Sequence, residues 1–448
     1  MVKTFFKHVG ALEEQRGLEW TVKYVKSTRL AVTRWLTRHP LKELPGVALS
    51  PTGFPLWIAE WEQHLEDRDK LRILMTFLVS LRSFSFKPVL DTSTITEPWK
   101  GKDTVTESEL SRALRWLGVR KASVAWTFPH MSTKRGPLGQ AILTSMTEAT
   151  LLPSQLKEII YLLGGSKLAT LISELEDRLD ILQWSSVAQV WARLFPPKTN
   201  SLRRLSYFSD KEGKTRVIAI MDYWTQSALK PLHDLLNRFL KRIWNDCTFN
   251  QNHFLTCLPS TGPYHSLDLH AATDRIPISL QKRVIGSIIG EELAEAWAQL
   301  LVSMEFTIAG KPKLTAKYAT GQPMGAYSSW PSMALTHHVL VMVSAIRAGF
   351  RTPFKDYAIL GDDIVIANDG VAAQYRILLS ELDMEISEAK THVSEDTYEF
   401  AKRWVHKGEE ITGFSIGGLQ AVWKRYPLLH NFLLTQAHHG WILANVEH

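Results

Sequence analysis

Asp362 and Asp363 stand side by side between two apolar runs, Tyr357-Ala-Ile-Leu360 and Ile364-Val-Ile-Ala367, with Gly361 just before them. Two short apolar segments joined at a Gly-Asp step predict a β-hairpin in which Gly361 supplies the unusual backbone angles of the tight turn. A second turn signal, Asn368-Asp369-Gly370, closes the unit. Adjacent carboxylates at a strand junction repel each other unless a cation lies between them, so the chemistry they suggest is binding of a divalent metal. The triplet alone is a weak signal, because Asp is a common turn residue. Its weight depends on whether the chain supplies the other parts of a metal-dependent phosphate chemistry.

Four further stretches bear on that. In Tyr264-His-Ser-Leu-Asp268-Leu-His-Ala-Ala-Thr-Asp274-Arg275, Ser266 to Leu269 reads as a short strand ending in a carboxylate. Asp268 can share a metal there with Asp362, and Asp274 falls near a sugar or a water. Magnesium takes oxygen ligands and keeps phosphate oxygens in its shell, which suits carboxylates brought together from separate strands. The alternative is an Asp274–Arg275 ion pair with Asp268 as a turn cap. Lys214 and Arg216 lie two apart on an extended segment ending near Ile220, so they share a face, and Lys211 sits on the preceding turn. An ammonium beside a forked guanidinium suits a triphosphate; a salt-bridged hairpin edge is the competing reading. Gly321-Gln322-Pro-Met-Gly325-Ala-Tyr-Ser328-Ser329 opens an apolar helix. It offers N–H groups and hydroxyls to an anion or a ribose, or else is a glycine-rich turn with serine caps. Lys390 is a lone lysine that by default is merely solvated. The adjacent His337 and His338 cannot put both rings on one helix face, which argues against a two-His metal site.

The elements that must position these residues change character along the chain. Helical spacing around Trp20, Val25, Leu30 and Trp35 ends at Pro40 and Pro45-Gly46, and a further helix is expected from Leu56 to about Ser83. Residues 87–103 read as a loop. Helices are expected at about Glu107–Leu117, Gln155–Leu163 and Leu168–Leu182, with a weaker one at Val187–Leu194. This first part is largely helical and carries no catalytic constellation of its own. After Pro196 strands and helices alternate: a strand over Thr215–Ile220, a helix from about Tyr223 to Ile243 with Asp222 as N-cap, helix over much of residues 279–318 with a hairpin at Gly310-Lys311-Pro312, the apolar helix after Trp330, and the Asp-Asp hairpin. A helix over Gln374–Leu382, a closing hairpin and a last helix over Pro427–Gln436 complete the order.

The 448 residues, 45% hydrophobic and 22% charged, can bury a large core. Two cysteines, Cys247 and Cys257, exclude a disulfide scaffold and make a reducing compartment the expectation. No apolar run reaches membrane-spanning length and the N-terminus lacks a signal-peptide core, so the chain reads as soluble and intracellular. The formal charge of +7 is uneven. Residues 1–50 carry nine Lys/Arg against four Glu, and residues 198–242 carry ten against four acidic groups. Basic clusters interleaved with aromatics suit a polyanion, since each neutralised phosphate releases a counterion.

Taken together, a basic strand, an Asp at a strand end, a Gly/Ser loop, an Asp-Asp hairpin and a lysine suit template-directed nucleotidyl transfer. The same residues resemble the RNA-dependent RNA polymerases of mitoviruses, capsidless RNA viruses. Glu212-Gly-Lys-Thr-Arg-Val-Ile-Ala-Ile220 with Asp222–Asp234 is similar to motif F, Asp268–Arg275 to motif A, Gly321–Trp330 with the trailing His337-His338 to motif B, and Gly361-Asp-Asp to motif C. Lys390 falls at motif D, and Glu399-Phe-Ala-Lys-Arg403 in the segment C-terminal to it. Val22-Lys-Tyr-Val-Lys and Thr52-Gly-Phe-Pro-Leu-Trp look like the family's N-terminal region, so the likeness spans nearly the whole chain.

The resemblance implies an α+β right-hand polymerase fold with a small antiparallel palm sheet packed on helices. It implies an N-terminal helical region at 1–105, fingers at 106–262, a palm at 263–405, and a closing hairpin with a short or truncated thumb at 406–448. It implies Mg²⁺ or Mn²⁺, RNA template and product, ribonucleoside triphosphates, no capsid protein, and replication of a viral RNA in host mitochondria. Asp268, Asp362 and Asp363 fall on metal positions, with Asp362 the principal ligand and Asp363 second to it. Lys390 falls on the acid for the leaving group; Lys211, Lys214 and Arg216 fall on the triphosphate. Asp274 with Ser328 or Ser329 falls on the ribose, and Gly321, Gln322 and Gly325 on RNA. The motif B helix lacks the Asn that many positive-strand polymerases carry and has His337 or His338 nearby. Two rivals remain: an inactive relic that binds RNA through its basic face, and a reverse transcriptase, which usually has an aromatic and a variable residue before its Asp pair instead of Leu360-Gly361.

Overall fold

The computed structural model describes residues 1–181, 190, 193, 194 and 201–441. Most of the helix expected at Val187–Leu194 lies outside them. In chain order the described strands are β1 (Arg203–Ser209), β2 (Thr215–Met221), β3 (Tyr264–Asp268), β4 (Phe306–Ile308), β5 (Lys311–Ala316), β6 (Tyr357–Leu360), β7 (Asp363–Ile366), β8 (His392–Ser394), β9 (Thr397–Phe400), β10 (Arg403–His406) and β11 (Glu409–Glu410). They form three sheets, ordered β2-β1-β4-β5, β6-β7-β3-β8 and β11-β10-β9. The second sheet is antiparallel throughout. Helix Ser329–Arg347, buried over nearly its whole length, packs against it at β6 and against helix Asp369–Glu381. This mixed helix-and-sheet architecture agrees with the α+β expectation.

The apolar runs explain the central sheet. Tyr357, Ala358 and Ile359 of β6 and Ile364, Val365 and Ile366 of β7 are all buried, as strands covered on both faces must be. Ile359, Ile364 and Ile366 join the large core under helix Ser329–Arg347, whereas Ala358 and Val365 face a second core with Phe254, Tyr398 and Phe400. A third core joins the N-terminal helices, through Phe5, Val25, Val32, Phe54 and Leu74, to Trp404 and Ile411 near the closing strands.

Several boundaries differ from expectation, each for a local reason. The N-terminal helical pattern is two helices, Val2–Arg16 and Leu18–Leu36, broken where Gly17 takes φ 82°. Leu56–His64 is a 3₁₀ segment, and the true helix starts at Arg68, where Asp67 caps the N–H groups of Asp69 and Lys70. Residues 278–302 divide at Gly290 (φ 93°) into helices Ile278–Ile289 and Glu291–Val302. Ser93–Thr96 adds a helical turn inside the expected loop. Residues 411–416 extend no strand; β9, β10 and β11 close the unit before helices Ile416–Val422 and Tyr426–His438. The expected cap at Asp222 is present, its Oδ1 accepting the Thr225 N–H at 2.7 Å ahead of helix Tyr223–Leu240.

Helix Ala141–Leu151 carries a buried carboxyl that braces this cap. Glu148 accepts from the Tyr223 N–H (2.6 Å) and the Thr144 hydroxyl (2.8 Å). Burial, then Asp222, pushes Glu148 up to about 8. Burial lowers the deeply buried Arg203 to about 10, with Asp222 opposing that shift. Asp222 has a buried cation beside it and Glu148 does not, so a second carboxyl close to Asp222 is buried most cheaply with its proton kept. Between the ordinary glutamate value and about 8 the folded chain then holds a proton that the unfolded chain has lost, so stability falls as pH rises through that window. The urea midpoint is expected to decline from about pH 5 to about pH 8. Glu148→Gln, which keeps an acceptor without a charge to bury, should flatten the decline; an unchanged slope would contradict this assignment.

Candidate active site

The hairpin between β6 and β7 has a two-residue loop, with Leu360 paired to Asp363 and Gly361 at φ 65° in the first loop position. Two neighbours fix that conformation. The Trp330 ring lies so close that any Cβ on residue 361 would collide with it. On the other side His337, fully buried, meets the Gly361 carbonyl through Nδ1 at 2.7 Å and the Tyr375 hydroxyl through Nε2 at 2.6 Å. A carbonyl only accepts, so Nδ1 carries the proton and Nε2 receives the Tyr375 O–H. Burial pushes this imidazole down to about 4 and keeps it neutral. His338 works one residue on, reaching the Tyr357 hydroxyl (2.9 Å) and Asp246 Oδ2 (3.1 Å). Asn245 and Cys247 extend the brace by pairing with both backbone groups of Ile359. The two histidines are thus framework for the hairpin and, being fully buried, do not face a ribose.

The sheet register decides which carboxylates meet. Asp268 at the end of β3 is paired directly with Asp363, so the two share a face of the sheet, while Asp362 is exposed at the loop. In this register Asp268 stands opposite Asp363, and Asp362 is the next residue, in the loop. Burial comes first in raising the Asp363 carboxyl to about 6; Asp362, Glu399 and Asp268 add to it, and Lys402 opposes. Lys390 is brought in as well, its Nζ donating to Asp268 Oδ2 at 2.8 Å. Among the described residues no three Asp, Glu, His or Cys side chains converge tightly enough to hold an ion as they stand. The donor set nevertheless fits a hard divalent cation. It is all oxygen, two of its members oppose each other across a strand pair, and an ammonium now lies where compensating charge is needed.

The remaining site residues divide. Asp274, in the turn Ala272–Arg275, accepts from the Thr94 hydroxyl at 2.8 Å, and burial raises its carboxyl. It makes no ion pair with Arg275, whose guanidinium goes to Asp383 (3.1 Å), Thr320 and the Glu97 carbonyl. The backbone of Gly321 and Gln322 is zipped to Asp274 and Thr273, and a Cβ at Gly321 would strike that backbone. Lys211 and Lys214 are exposed on the β1–β2 turn. Arg216 is held by Asp210 at 2.5 Å, as in the salt-bridged hairpin reading.

The loop's other candidates are packed inward. Gln322 is fully buried, its amide nitrogen donating to Gln281, Ser332 and the Ser329 carbonyl. Ser328 is turned inward with its Oγ accepting from Trp297 Nε1 (2.8 Å), and Ser329 is largely buried at the start of its helix. Of the loop's candidates only Gly325 is exposed. Thr94 and Tyr375 had no distinguishing sequence signal, and Trp330 and Glu399 had one only as members of matched segments; the partners of Thr94, Trp330 and Tyr375 are remote in the chain.

The family model described as mitovirus RNA-dependent RNA polymerase matches residues 124–447. The chain belongs to the mitovirus RNA-dependent RNA polymerase family. It is 36% identical over 431 residues to the RNA-directed RNA polymerase of Cryphonectria parasitica mitovirus 1, covering 89% of this chain and 52% of that one. The chain thus spans about half the length of this family relative. An uncharacterised mitochondrial protein of Arabidopsis thaliana is 40% identical over 176 residues, 37% of this chain and 70% of that protein. Among solved structures, the RNA-dependent RNA polymerase of a human picorbirnavirus aligns with a TM-score of 0.50 at 14% identity, over 82% of this chain and 70% of that one, a likeness of fold.

In this family member, His337→Leu leaves the Gly361 carbonyl and the Tyr375 hydroxyl unpartnered in a dry core. The expected loss is roughly 2–4 kcal/mol of stability, read as a denaturant midpoint. His337→Leu combined with Tyr375→Phe removes one orphan and should recover part of it. A double variant no more stable than the single one would refute the role given to this bridge.

Proposed function

We propose that the chain catalyses RNA-templated transfer of ribonucleotides from NTPs to an RNA 3′ end, as an RNA-dependent RNA polymerase replicating a viral RNA. The observation that carries this reading is the pairing of Asp268 with Asp363 across two antiparallel strands, with Lys390 2.8 Å from Asp268. Asp268, Asp363 and Asp362 would hold Mg²⁺ or Mn²⁺. Such ions, when bound, supply Lewis-acid activation of a 3′-hydroxyl and neutralise charge on a leaving pyrophosphate.

The chain's own residues do the rest. Lys214 and Lys211 on the β1–β2 turn bind the triphosphate. Lys390 is the acid nearest the carboxylates and supplies the proton that a departing pyrophosphate takes up. Asp274, steadied by Thr94, reads the ribose, and Gly325 offers exposed backbone to the template. His337 and Trp330 keep the Gly361 turn from sagging, so that both aspartates arrive in place without reorganisation. The mitovirus relative and the mitochondrial proteins of Arabidopsis thaliana support mitochondria as the compartment. Among the described residues no helix is long and apolar enough to cross a membrane.

Primer extension on an RNA template with Mg²⁺ or Mn²⁺ tests the reading. Ribonucleotides should be incorporated, deoxyribonucleotides poorly, and Asp268→Ala or Asp363→Ala should cut the rate roughly a hundredfold or more. Equal product from either variant would sink the proposal. Preference for dNTPs would indicate a reverse transcriptase, and salt-sensitive RNA binding without any product would indicate an RNA-binding relic.

A further inference from the structure

The helix Leu18–Leu36 lies outside the span matched by the family model, yet it touches both lysine-bearing turns of the site. Arg29 grips Glu212 with two guanidinium nitrogens at 2.6 and 3.2 Å, and Arg82 approaches the same carboxylate at 3.5 Å. Glu212 lies between Lys211 and Lys214, in a left-handed conformation (φ 55°) that its neighbours must sustain, and its N–H donates to the Phe84 carbonyl at 3.0 Å. Just over one turn beyond Arg29, Arg34 donates to the Thr391 carbonyl at 2.7 Å, next to Lys390. One rigid helix thus ties the motif F turn to the motif D turn. Val25, Val32 and Leu36, which flank Arg29 on the helix, anchor it in the core that includes Trp404.

Lys26 precedes Arg29 by one turn and so shares its face. Among the described residues no carboxylate is paired with its ammonium, because Glu212, the acidic group nearby, is taken by the two arginines. Lys26 is exposed at the surface; partial desolvation, with Lys390, Arg29 and Lys214, lowers its pKa, and Glu212 opposes the shift. Lysines from three separate parts of the chain are thus close enough to act on one another, and among the described residues only Lys390 of the three is held by a carboxylate, that of Asp268. A polyphosphate would balance the remaining positive charge.

We propose that helix Leu18–Leu36 is part of the nucleotide site: Lys26 contacts the triphosphate together with Lys214 and Lys390, and Arg29 is a positioning residue that holds the Lys211–Lys214 turn through Glu212. The inference rests on the nucleotidyl-transfer reading for its ligand class.

Calorimetric binding of ATP and of inorganic tripolyphosphate to the full chain tests it apart from catalysis. Lys26→Gln should weaken both about tenfold, Lys26→Arg should retain most of the affinity, and Lys167→Gln, an exposed control on helix Ser166–Ile181, should change neither. In primer extension Lys26→Gln should raise KM for the NTP by a similar factor with kcat within about twofold, at an unchanged thermal midpoint. Arg29→Gln should raise KM as well, with partial rescue by Arg29→Lys. Wild-type affinity and KM in Lys26→Gln would overturn the inference while leaving the polymerase reading intact. Lys26-dependent ATP binding without RNA synthesis would overturn that reading and keep this one. A wild-type chain that binds neither polyphosphate would overturn the inference outright.

Discussion

Two carboxylates placed directly opposite each other on neighbouring strands are the constraint around which the structure is arranged. Asp268 and Asp363 would repel, and the fold could relieve the repulsion by slipping the register or fraying the strand ends. It does neither, because β6 and β7 are buried on both faces and a one-residue slip would exchange the residues assigned to two separate cores. The charge is managed instead by Lys390 on Asp268, by Lys402 near Asp363, and by an upward shift of the Asp363 carboxyl. A site that stores unfavourable charge in a rigid frame is prepared to receive a cation.

The frame is built from polar groups hidden behind the loop. His337 and Tyr375 hold the Gly361 carbonyl, while His338, Tyr357 and Asp246 fasten the strand that precedes it. Buried hydrogen bonds of this kind contribute modestly when made but cost heavily when broken, so they fix one geometry more than they add net stability. The glycine is required twice, for its positive φ and because Trp330 leaves no room for a side chain.

Much of this was legible in the residues, and the boundary follows a physical line. Local signals read well: the Gly361 turn, the Asp222 cap, the basic β1–β2 turn and the apolar helix after the Gly/Ser loop are all encoded within a few residues of themselves. Long-range facts did not. Register, which sets Asp268 opposite Asp363, is fixed by two cores on opposite faces of the sheet. Ser328 and Gln322 have the chemistry of ligands, and only their burial against Trp297 and Gln281 shows that they serve the fold. Helix Ala141–Leu151 gave no apolar stripe because its buried face is largely polar, with Thr144, Ser145 and Glu148 satisfied by hydrogen bonds. The N-terminal helices carried no chemistry of their own in sequence, yet Thr94 meets Asp274 and Arg29 meets Glu212 across long stretches of chain.

We propose that the Asp268–Asp363 pair is a metal site in which the Lys390 ammonium stands in for the cation. Anomalous diffraction from crystals soaked in Mn²⁺ measures it directly. A manganese peak is expected between the carboxylates of Asp268 and Asp363, with Lys390 Nζ no longer within hydrogen-bonding distance of Asp268. An intact Lys390–Asp268 pair with no manganese beside it, at a concentration that fills other carboxylate sites, would rule this metal site out.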